Sequence, residues 1–469
     1  MPKKVGGFRA LATAIFAAIA GPALADTLEM ALVQAYQNNP QINAQRAVVR
    51  ATDENVLQAL SGYRPRISAT VTAGKQTSTT LSRTESGATG ENVVTYSQTG
   101  GHTWPRTFGA TATQTLFNGF QTANRTRTAE SQVFQARETL RVIEQTVLLD
   151  AATAYMNLLR DTAILDLQRR NVEVIQEQLR QTRDRFNVGE VTRTDVAQSE
   201  SRVAAAQSQM LAAQAAQVTS RAVYRRVIGV EPGRLAPGSP VDRFSPRLLE
   251  LAVAQGQAEN PSVAAAMHGV DVAALTVKVS EGALYPTLTL NANIQQNYDT
   301  SVTTVRSFQA SAIGQLTVPI YQGGGEYSLI RQGKEVVGQR RLELALTRDQ
   351  ARANVVQAWG QLDAARAQIE ATRAQVTAAE VALNGVREEA RVGQRTTLDV
   401  LNAQQELVNA RVATVTAQRD RVVASYTLLS AVGRLAVPVL GLQVPLYDPM
   451  THYQQIRDSW FGVRTPDGK

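Results

Sequence analysis

The fold is decided by residues 107–119, TFGATATQTLFNG, where an alternating pattern of side chains is replaced by a long helical pattern. Phe108, Ala110 and Ala112 alternate with threonine and glycine, a period of two that is typical of a half-exposed β-strand. From Phe120 to Arg185 the chain contains neither glycine nor proline, so at roughly 1.5 Å per residue it could form one helix about 100 Å long. Such a helix does not fit inside one globular domain, so the sequence predicts strands that lead into helical rods.

The same plan occurs twice in the chain. Asn39-Pro40 recurs as Asn260-Pro261, and Val188-Gly189 recurs as Val392-Gly393. Each copy has a long proline-free stretch that predicts a helical hairpin. We expect Gly189 and Gly393 to form its turns, because glycine readily adopts the left-handed conformation that ends a helix. The first copy has extra residues, and its stretch 77–101 is rich in Ser, Thr and Gly, which predicts a longer loop.

These patterns predict five segments. They are a signal peptide (residues 1–25), a first structural repeat of helix, β-hairpin and long helical hairpin (26–229), an inter-repeat connector (230–246), a second structural repeat (247–433) and a C-terminal periplasmic tail (434–469).

The N-terminus predicts export. Basic residues precede an apolar stretch, and Ala23-Leu24-Ala25 forms a small-x-small cleavage site before Asp26. A membrane anchor is the alternative, but an apolar run of about 11 residues is short of the roughly 20 needed to span a bilayer.

Composition excludes several classes of function. The chain has no cysteine and three widely separated histidines, which argues against thiolate chemistry and local metal sites. The formal net charge of +8 is not concentrated in any tract, so we expect no nucleic-acid partner. No catalytic motif has its required context, so we expect no cofactor and no enzymatic activity.

Four alternating segments, two in each copy, predict transmembrane strands of about 10 to 12 residues. Tyr63, Phe117, Tyr285 and Tyr321 lie near one end of these segments, as aromatic residues do at a membrane interface. A half-buried sheet in a soluble protein is the alternative.

A membrane-spanning sheet must close, because an open edge leaves backbone groups unpaired in lipid. Four strands cannot enclose a lumen, whereas three chains would supply about twelve strands with room for one. The sequence therefore predicts a mixed α and β membrane protein. Its expected form is a trimeric twelve-stranded β-barrel, with four strands per chain, continuous with a long α-helical barrel.

At the level of motifs, the chain resembles the TolC family of outer-membrane efflux and secretion channels. The resemblance covers the mature chain and rests on Asn38-Asn39-Pro40, on Leu116-Phe117-Asn118-Gly119, and on Arg391-Val392-Gly393 with Arg395-Thr396 and Asp399-Val400-Leu401. It implies a homotrimer in outer-membrane lipid whose α-helical barrel is periplasmic, and which passively conducts substrates across the periplasm and outer membrane.

The resemblance also implies a periplasmic adaptor, or membrane fusion protein, and an inner-membrane ABC or RND-type transporter as partners. The channel would serve type I protein secretion, multidrug efflux or both. The tail from Pro445 to Gly462 is similar to tails of the type I secretion branch and favours it, although a mobile polar extension is the alternative.

The family's periplasmic gate implies roles for five residues. In the family, polar links between side chains hold this gate closed. Arg395 matches the arginine of one such link, and Thr194 and Asp195 match its partners on the neighbouring hairpin. Asp399 matches an aspartate that forms a ring in the pore constriction. Asn402 replaces the aspartate of a second ring. Because Ala390 also replaces a linking tyrosine, we expect a more weakly held gate.

A local explanation exists for the same acids, since Thr192-x-x-Asp195 and Thr396-x-x-Asp399 have the spacing of helix-capping boxes. A periplasmic structural coiled-coil or adaptor protein without a pore is the alternative function. It would leave the four amphipathic strands unexplained.

Overall fold

The computed structural model describes residues 26–86 and 93–466, so the predicted signal peptide lies outside the described residues. The chain divides into a helical unit (residues through 39, 147–243 and 361–426) and a sheet unit (40–146, 244–360 and 427–469). The helices are α1 (Leu28–Asn38), α2 (Pro40–Leu60), α3 (Gln121–Asn187), α4 (Arg193–Ile228), α5 (Leu249–Glu259), α6 (Pro261–Gly282), α7 (Gly325–Arg391), α8 (Thr397–Ala431), α9 (Val437–Leu440) and α10 (Pro449–Ile456). The strands are β1 (Arg66–Ala73), β2 (Gln76–Ser86), β3 (Val93–Thr103), β4 (Arg106–Asn118), β5 (Thr287–Ser301) and β6 (Thr304–Thr317).

The order of elements confirms the internal duplication, because α1, α2, β1, β4, α3 and α4 correspond to α5, α6, β5, β6, α7 and α8. The asparagine of each Asn-Pro pair makes the same contact. The side-chain amide of Asn39 donates to the carbonyl oxygen of Val227 at 2.9 Å, and that of Asn260 donates to the carbonyl oxygen of Ala431 at 3.1 Å. The last carbonyls of a helix lack partners within it, so each asparagine satisfies one at the end of α4 or α8.

The long rods are single helices. α3 and α7 each contain 67 residues, which corresponds to about 100 Å of helix. Each rod is followed by a glycine in the left-handed region, with φ of 85° at Gly189 and 80° at Gly393. By length and composition alone, one helical stretch within the described residues, Leu249–Gly282, could cross a membrane.

The sheet unit contains a four-stranded antiparallel sheet in the order β1-β4-β5-β6. The β4–β5 pair joins the two repeats. Within the described part of the chain, β1 and β6 pair on one side only, so the sheet is open at both edges. β4, β5 and β6 contain 13, 15 and 14 residues, longer than the 10 to 12 expected, whereas β1 contains 8.

The expectation of a longer loop at 77–101 is wrong. The described residues of this stretch lie in a two-stranded sheet, with β2 and β3 antiparallel and paired from Gln76 opposite Thr103 to Ser86 opposite Val93. Its many threonines explain the outcome, because β-branched side chains fit a pleated strand well. Only Gly74 and Lys75 separate β1 from β2.

The C-terminal tail is docked through α10, which packs against α2 in the sheet unit. His452 Nδ1 lies 3.1 Å from Oδ2 of the fully buried Asp53, and Arg137 Nη2 lies 3.7 Å from Asp53 Oδ1. Burial raises the pKa of Asp53, and the His452 hydrogen bond and the Arg137 charge oppose that rise. Further along, the Arg64 guanidinium lies 4.5 Å from the centre of the Trp460 ring. These contacts hold residues 449–460 against the sheet unit instead of leaving a mobile extension.

Candidate functional site

The four-stranded sheet has one apolar face. Residues opposite each other on antiparallel strands share a face, so the register places Val71, Phe108, Gln296 and Phe308 in one row. The neighbouring row toward the middle of the sheet contains Ala69, Ala110, Ile294 and Ala310. Val71 is 67% exposed and Phe308 is 65% exposed. A contiguous apolar surface of this kind is the lipid-facing surface of a membrane β-barrel.

The opposite face is polar, and its side chains hydrogen-bond across the strands. The hydroxyls of Ser68 and Thr111 lie 2.8 Å apart, and the Thr107 hydroxyl donates to the Asn297 side-chain oxygen at 2.9 Å. This amide and hydroxyl surface suits water, so it corresponds to the lumen side of a barrel.

The apolar band has the height of a membrane. Leu288 and Tyr298 mark the two edges of this band on β5. Between them the strand rises about 34 Å at roughly 3.4 Å per residue, which becomes about 24 Å at a strand tilt near 45°. Tyr285 and Tyr321 are exposed at one end, as expected from the sequence. Sequence reasoning missed Trp104 at the other end, where Lys75 Nζ lies 5.6 Å from its ring centre. The Trp104-Pro105 pair immediately before β4 is the signal that could have identified it.

The turn between α3 and α4 carries the first pair of predicted gate residues. Asp195 closes a capping box: its Oδ2 accepts from the backbone N–H of Thr192 at 2.9 Å, and its own N–H donates to the Thr192 hydroxyl at 3.4 Å. The side-chain and backbone hydrogen bonds from Thr192 lower the pKa of Asp195. Thr194 is exposed on the first turn of α4.

The turn between α7 and α8 repeats this geometry. Asp399 Oδ2 accepts from the Thr396 backbone N–H at 3.0 Å and from the Thr396 hydroxyl at 2.9 Å. The backbone and side-chain hydrogen bonds from Thr396 lower the pKa of Asp399, so the carboxylate is charged at neutral pH. Both local capping explanations therefore hold.

Within one chain, Arg395 does not contact the partners predicted for it. Its Nε donates to Glu389 Oε2 at 2.8 Å, and this contact raises the pKa of Arg395. Among the described residues, no contact joins Arg395 to Thr194 or Asp195. Sequence reasoning missed Glu389, because an acid on the exposed face of a helix has no positional signal.

Asn402 is engaged by a residue that the sequence did not single out. Arg202 Nη2 donates to Asn402 Oδ1 at 2.5 Å, which joins α4 to α8. Beside this bond, Ala206 of α4 and Leu401 of α8 share a small apolar cluster with Val172 and Ile175 of α3. Nothing in the sequence relates Arg202 to Asn402, because the contact depends on how the helices pack.

Known proteins are similar to this chain in sequence and in fold. The outer membrane efflux protein family matches residues 31–230 and 252–434. The outer membrane efflux protein BepC of Brucella suis biovar 1 is 44% identical over 448 residues, which cover 95% of this chain and 94% of BepC. The alkaline protease secretion protein AprF of Pseudomonas aeruginosa is 26% identical over 305 residues, or 63% of each chain.

A solved structure supports the same conclusion about the fold. The CmeC outer membrane channel of Campylobacter jejuni matches with a TM-score of 0.72 at 15% identity, covering 91% of this chain and 88% of that chain. The predicted mixed α and β fold, the TolC-like resemblance and the outer membrane location are confirmed, and the adaptor alternative is not supported. Proteins of this family are efflux channels and not enzymes. This chain belongs to the outer membrane efflux protein family, and it forms a tunnel for efflux or secretion through the bacterial outer membrane.

Proposed function

We propose that three copies of this chain close their open sheets into one twelve-stranded barrel. The single observation that carries the proposal is a sheet with an apolar face, a polar face and two unpaired edges, β1 and β6, within the described residues. Lipid cannot satisfy the backbone groups of those edges, so β6 of one copy pairs with β1 of the next. Three copies leave a lumen lined by the polar face, whereas two copies would give only about eight strands and a filled interior.

The three helical units form the periplasmic tunnel, and their turns form its gate. In this proposal Arg395 leaves Glu389 to link with Thr194 and Asp195 of the neighbouring copy. Arg395 and Thr194 are exposed beside the helix turns and Asp195 is partly exposed, which supports this link. Gly189 and Gly393 allow the tight turns that bring these side chains to the tunnel end.

Asp399 serves as both helix cap and pore constriction. The cap uses Oδ2 and leaves the carboxylate charged, so three copies place three negative charges around the axis. Asn402 adds no charge of its own. Asn402 lies three residues after Asp399, about one helical turn along α8, and accepts a hydrogen bond from the Arg202 guanidinium of α4.

The channel conducts passively, and its partners supply the energy. The proposed partners are a periplasmic adaptor and an inner-membrane transporter of the ABC or RND type. The names of BepC, an efflux protein, and AprF, a protease secretion protein, support efflux and protein secretion as the two candidate tasks. For secretion, the type I pathway is the one proposed. The predicted segments (signal peptide 1–25, repeats 26–229 and 247–433, connector 230–246 and tail 434–469) remain part of this proposal.

The test combines the mass of the detergent-purified mature protein with its conductance in planar bilayers. We expect a trimer with small currents, and Arg395→Ser should raise the closed-state conductance. Arg391→Ser is the matched control, because Arg391 is also an exposed arginine near this turn and pairs with Glu388 on its own helix at 3.1 Å. A non-conducting monomer would overturn the pore proposal. Equal conductance of both variants and the parent would remove Arg395 from the gate.

A further inference from the structure

One row of the apolar face is basic and aromatic. The register places Ala73, Arg106, Tyr298 and Arg306 opposite one another across β1, β4, β5 and β6. We call Arg106, Tyr298 and Arg306 the basic row. Because paired residues share a face, these side chains are on the same side of the sheet as the apolar residues of the neighbouring row.

The basic row carries an excess of positive charge. The guanidinium carbons of Arg106 and Arg306 lie 5.8 Å and 6.0 Å from the centre of the Tyr298 ring. Arg106 Nη2 contacts Asp299 Oδ2 at 2.8 Å, while no carboxylate in the described parts of the chain lies within ion-pair distance of Arg306. Two cations with one anion leave the row positively charged, and an anion placed beside it would be attracted.

The position of the basic row identifies the environment that it meets. It lies at the hairpin end of the sheet, opposite the end where β4 continues into α3. The long helices of this family lie in the periplasm, so the hairpin end faces the outer leaflet. The next row inward contains Phe108 and Phe308, both at least half exposed, and the Phe108 and Tyr298 rings meet edge to face at 6.4 Å. Charged groups therefore lie directly above a surface that suits acyl chains.

We propose that the basic row binds the phosphate groups of anionic lipids in the outer leaflet. An arginine guanidinium presents a planar fork of donors that matches phosphate oxygens in a bidentate manner. Tyr298 separates the two forks and holds both through its ring face. The lipid's acyl chains then lie on Phe108 and Phe308, which is why a lipid fits this surface and a free anion uses only part of it.

Arg306 provides the cleanest variant. Arg306 is exposed on β6, and its replacement removes no ion pair among residues 26–86 and 93–466. The Arg306→Gln variant should therefore assemble normally. Arg306→Lys keeps the charge and loses the fork. Arg66→Gln is the matched control, because Arg66 is an exposed arginine of the same sheet on its polar face, opposite Thr113.

The experiment measures retention of dioleoyl phosphatidic acid by the detergent-purified full mature chain, using native mass spectrometry. Dioleoylglycerol has the same acyl chains without the phosphate and serves as the matched lipid. We expect Arg306→Gln to weaken phosphatidic acid binding by about tenfold, the double change with Arg106→Gln to weaken it further, and Arg306→Lys to have an intermediate effect. Dioleoylglycerol binding and the Arg66→Gln variant should not change.

Three results would overturn the proposal. One is equal phosphatidic acid binding by Arg306→Gln and the parent. Another is an equal loss of dioleoylglycerol binding, which would assign the effect to apolar contact. The third is displacement of phosphatidic acid by inorganic phosphate at equal concentration, which would assign the row to free anions. Conductance of the same samples reports separately on the channel, because the basic row lies on the outer face of the sheet.

Discussion

Replacing His452 by alanine should release the C-terminal helix α10 from the sheet unit. Nδ1 of His452 lies 3.1 Å from Oδ2 of Asp53, whose side chain is fully buried. A hydrogen bond to a charged group contributes about 1.5–3 kcal/mol, and removing one member of a buried pair costs about 3–5 kcal/mol. Arg137 stays 3.7 Å from the other carboxylate oxygen and limits the loss. We therefore expect His452→Ala to weaken the docking of α10 by about 2 kcal/mol, which corresponds to a roughly 30-fold larger undocked population.

Trypsin cleavage after Arg457, the residue that follows α10, measures this population. When docking is fast relative to cleavage, the cleavage rate follows the fraction of undocked tail. Mass spectrometry of the released C-terminal peptide isolates this site from other tryptic sites. The rate should rise roughly 30-fold in His452→Ala.

The matched control is His268→Ala. His268 is half-buried on α6 of the same unit and lies 3.7 Å from the exposed Asp271, so its loss should leave tail cleavage unchanged. In a double-mutant cycle, adding Asp53→Asn to His452→Ala should cost less than the sum of the single changes, because the two side chains act on each other. Equal cleavage of His452→Ala and the parent, or strict additivity in the cycle, would refute the reasoning.

Three further predictions concern the sheet and the helix turns. Ile294→Arg should destabilise the assembled protein by about 2–4 kcal/mol per chain because it faces lipid, whereas Asn293→Arg on the polar face should not, as measured by thermal denaturation in lipid. Asp399→Asn should reduce cation selectivity in planar bilayers. In the parent protein, cation selectivity should persist on acidification to about pH 4, because the pKa of Asp399 is lowered from its ordinary value of 3.8 and the carboxylate stays charged. Loss of selectivity well above pH 4 would contradict this prediction. Gly393→Ala should destabilise its turn by about 1–2 kcal/mol, because alanine disfavours a φ of 80°, while Gly385→Ala inside α7 should be neutral or stabilising. Melting temperatures measure both changes. If both variants shift the melting temperature in the same direction, the left-handed turn at Gly393 does not have the expected role.

Several elements could be predicted because their signals are local. The absence of glycine and proline from Phe120 to Arg185 predicted α3, which extends from Gln121 to Asn187. The alternation at Phe108, Ala110 and Ala112 predicted which side chains of β4 share a face. Capping boxes at Asp195 and Asp399 were also predictable, since each depends on residues three positions apart.

Other features could not be predicted, because composition or distance along the chain concealed them. The Ser- and Thr-rich stretch 77–101 has the composition of a loop, and the β2–β3 pairing depends on a register between two segments that are separate in the chain. The Glu389 partner of Arg395 and the Arg202 partner of Asn402 depend on side-chain positions across helix turns and between helices. A charged residue on an exposed helix face carries no sequence signal for either contact.

The sequence by itself determined the rods, the two faces of the sheet and the duplication, because helical and strand periods and turn residues act over a few neighbouring positions. Only the tertiary structure decided which distant residues meet. Arg106 joins Arg306 in one row through the registers of β4, β5 and β6, and Asp53 meets His452 because α10 packs on α2. The physical reason is that register and packing are set by the combined burial and hydrogen bonding of whole elements, which no local stretch of sequence contains.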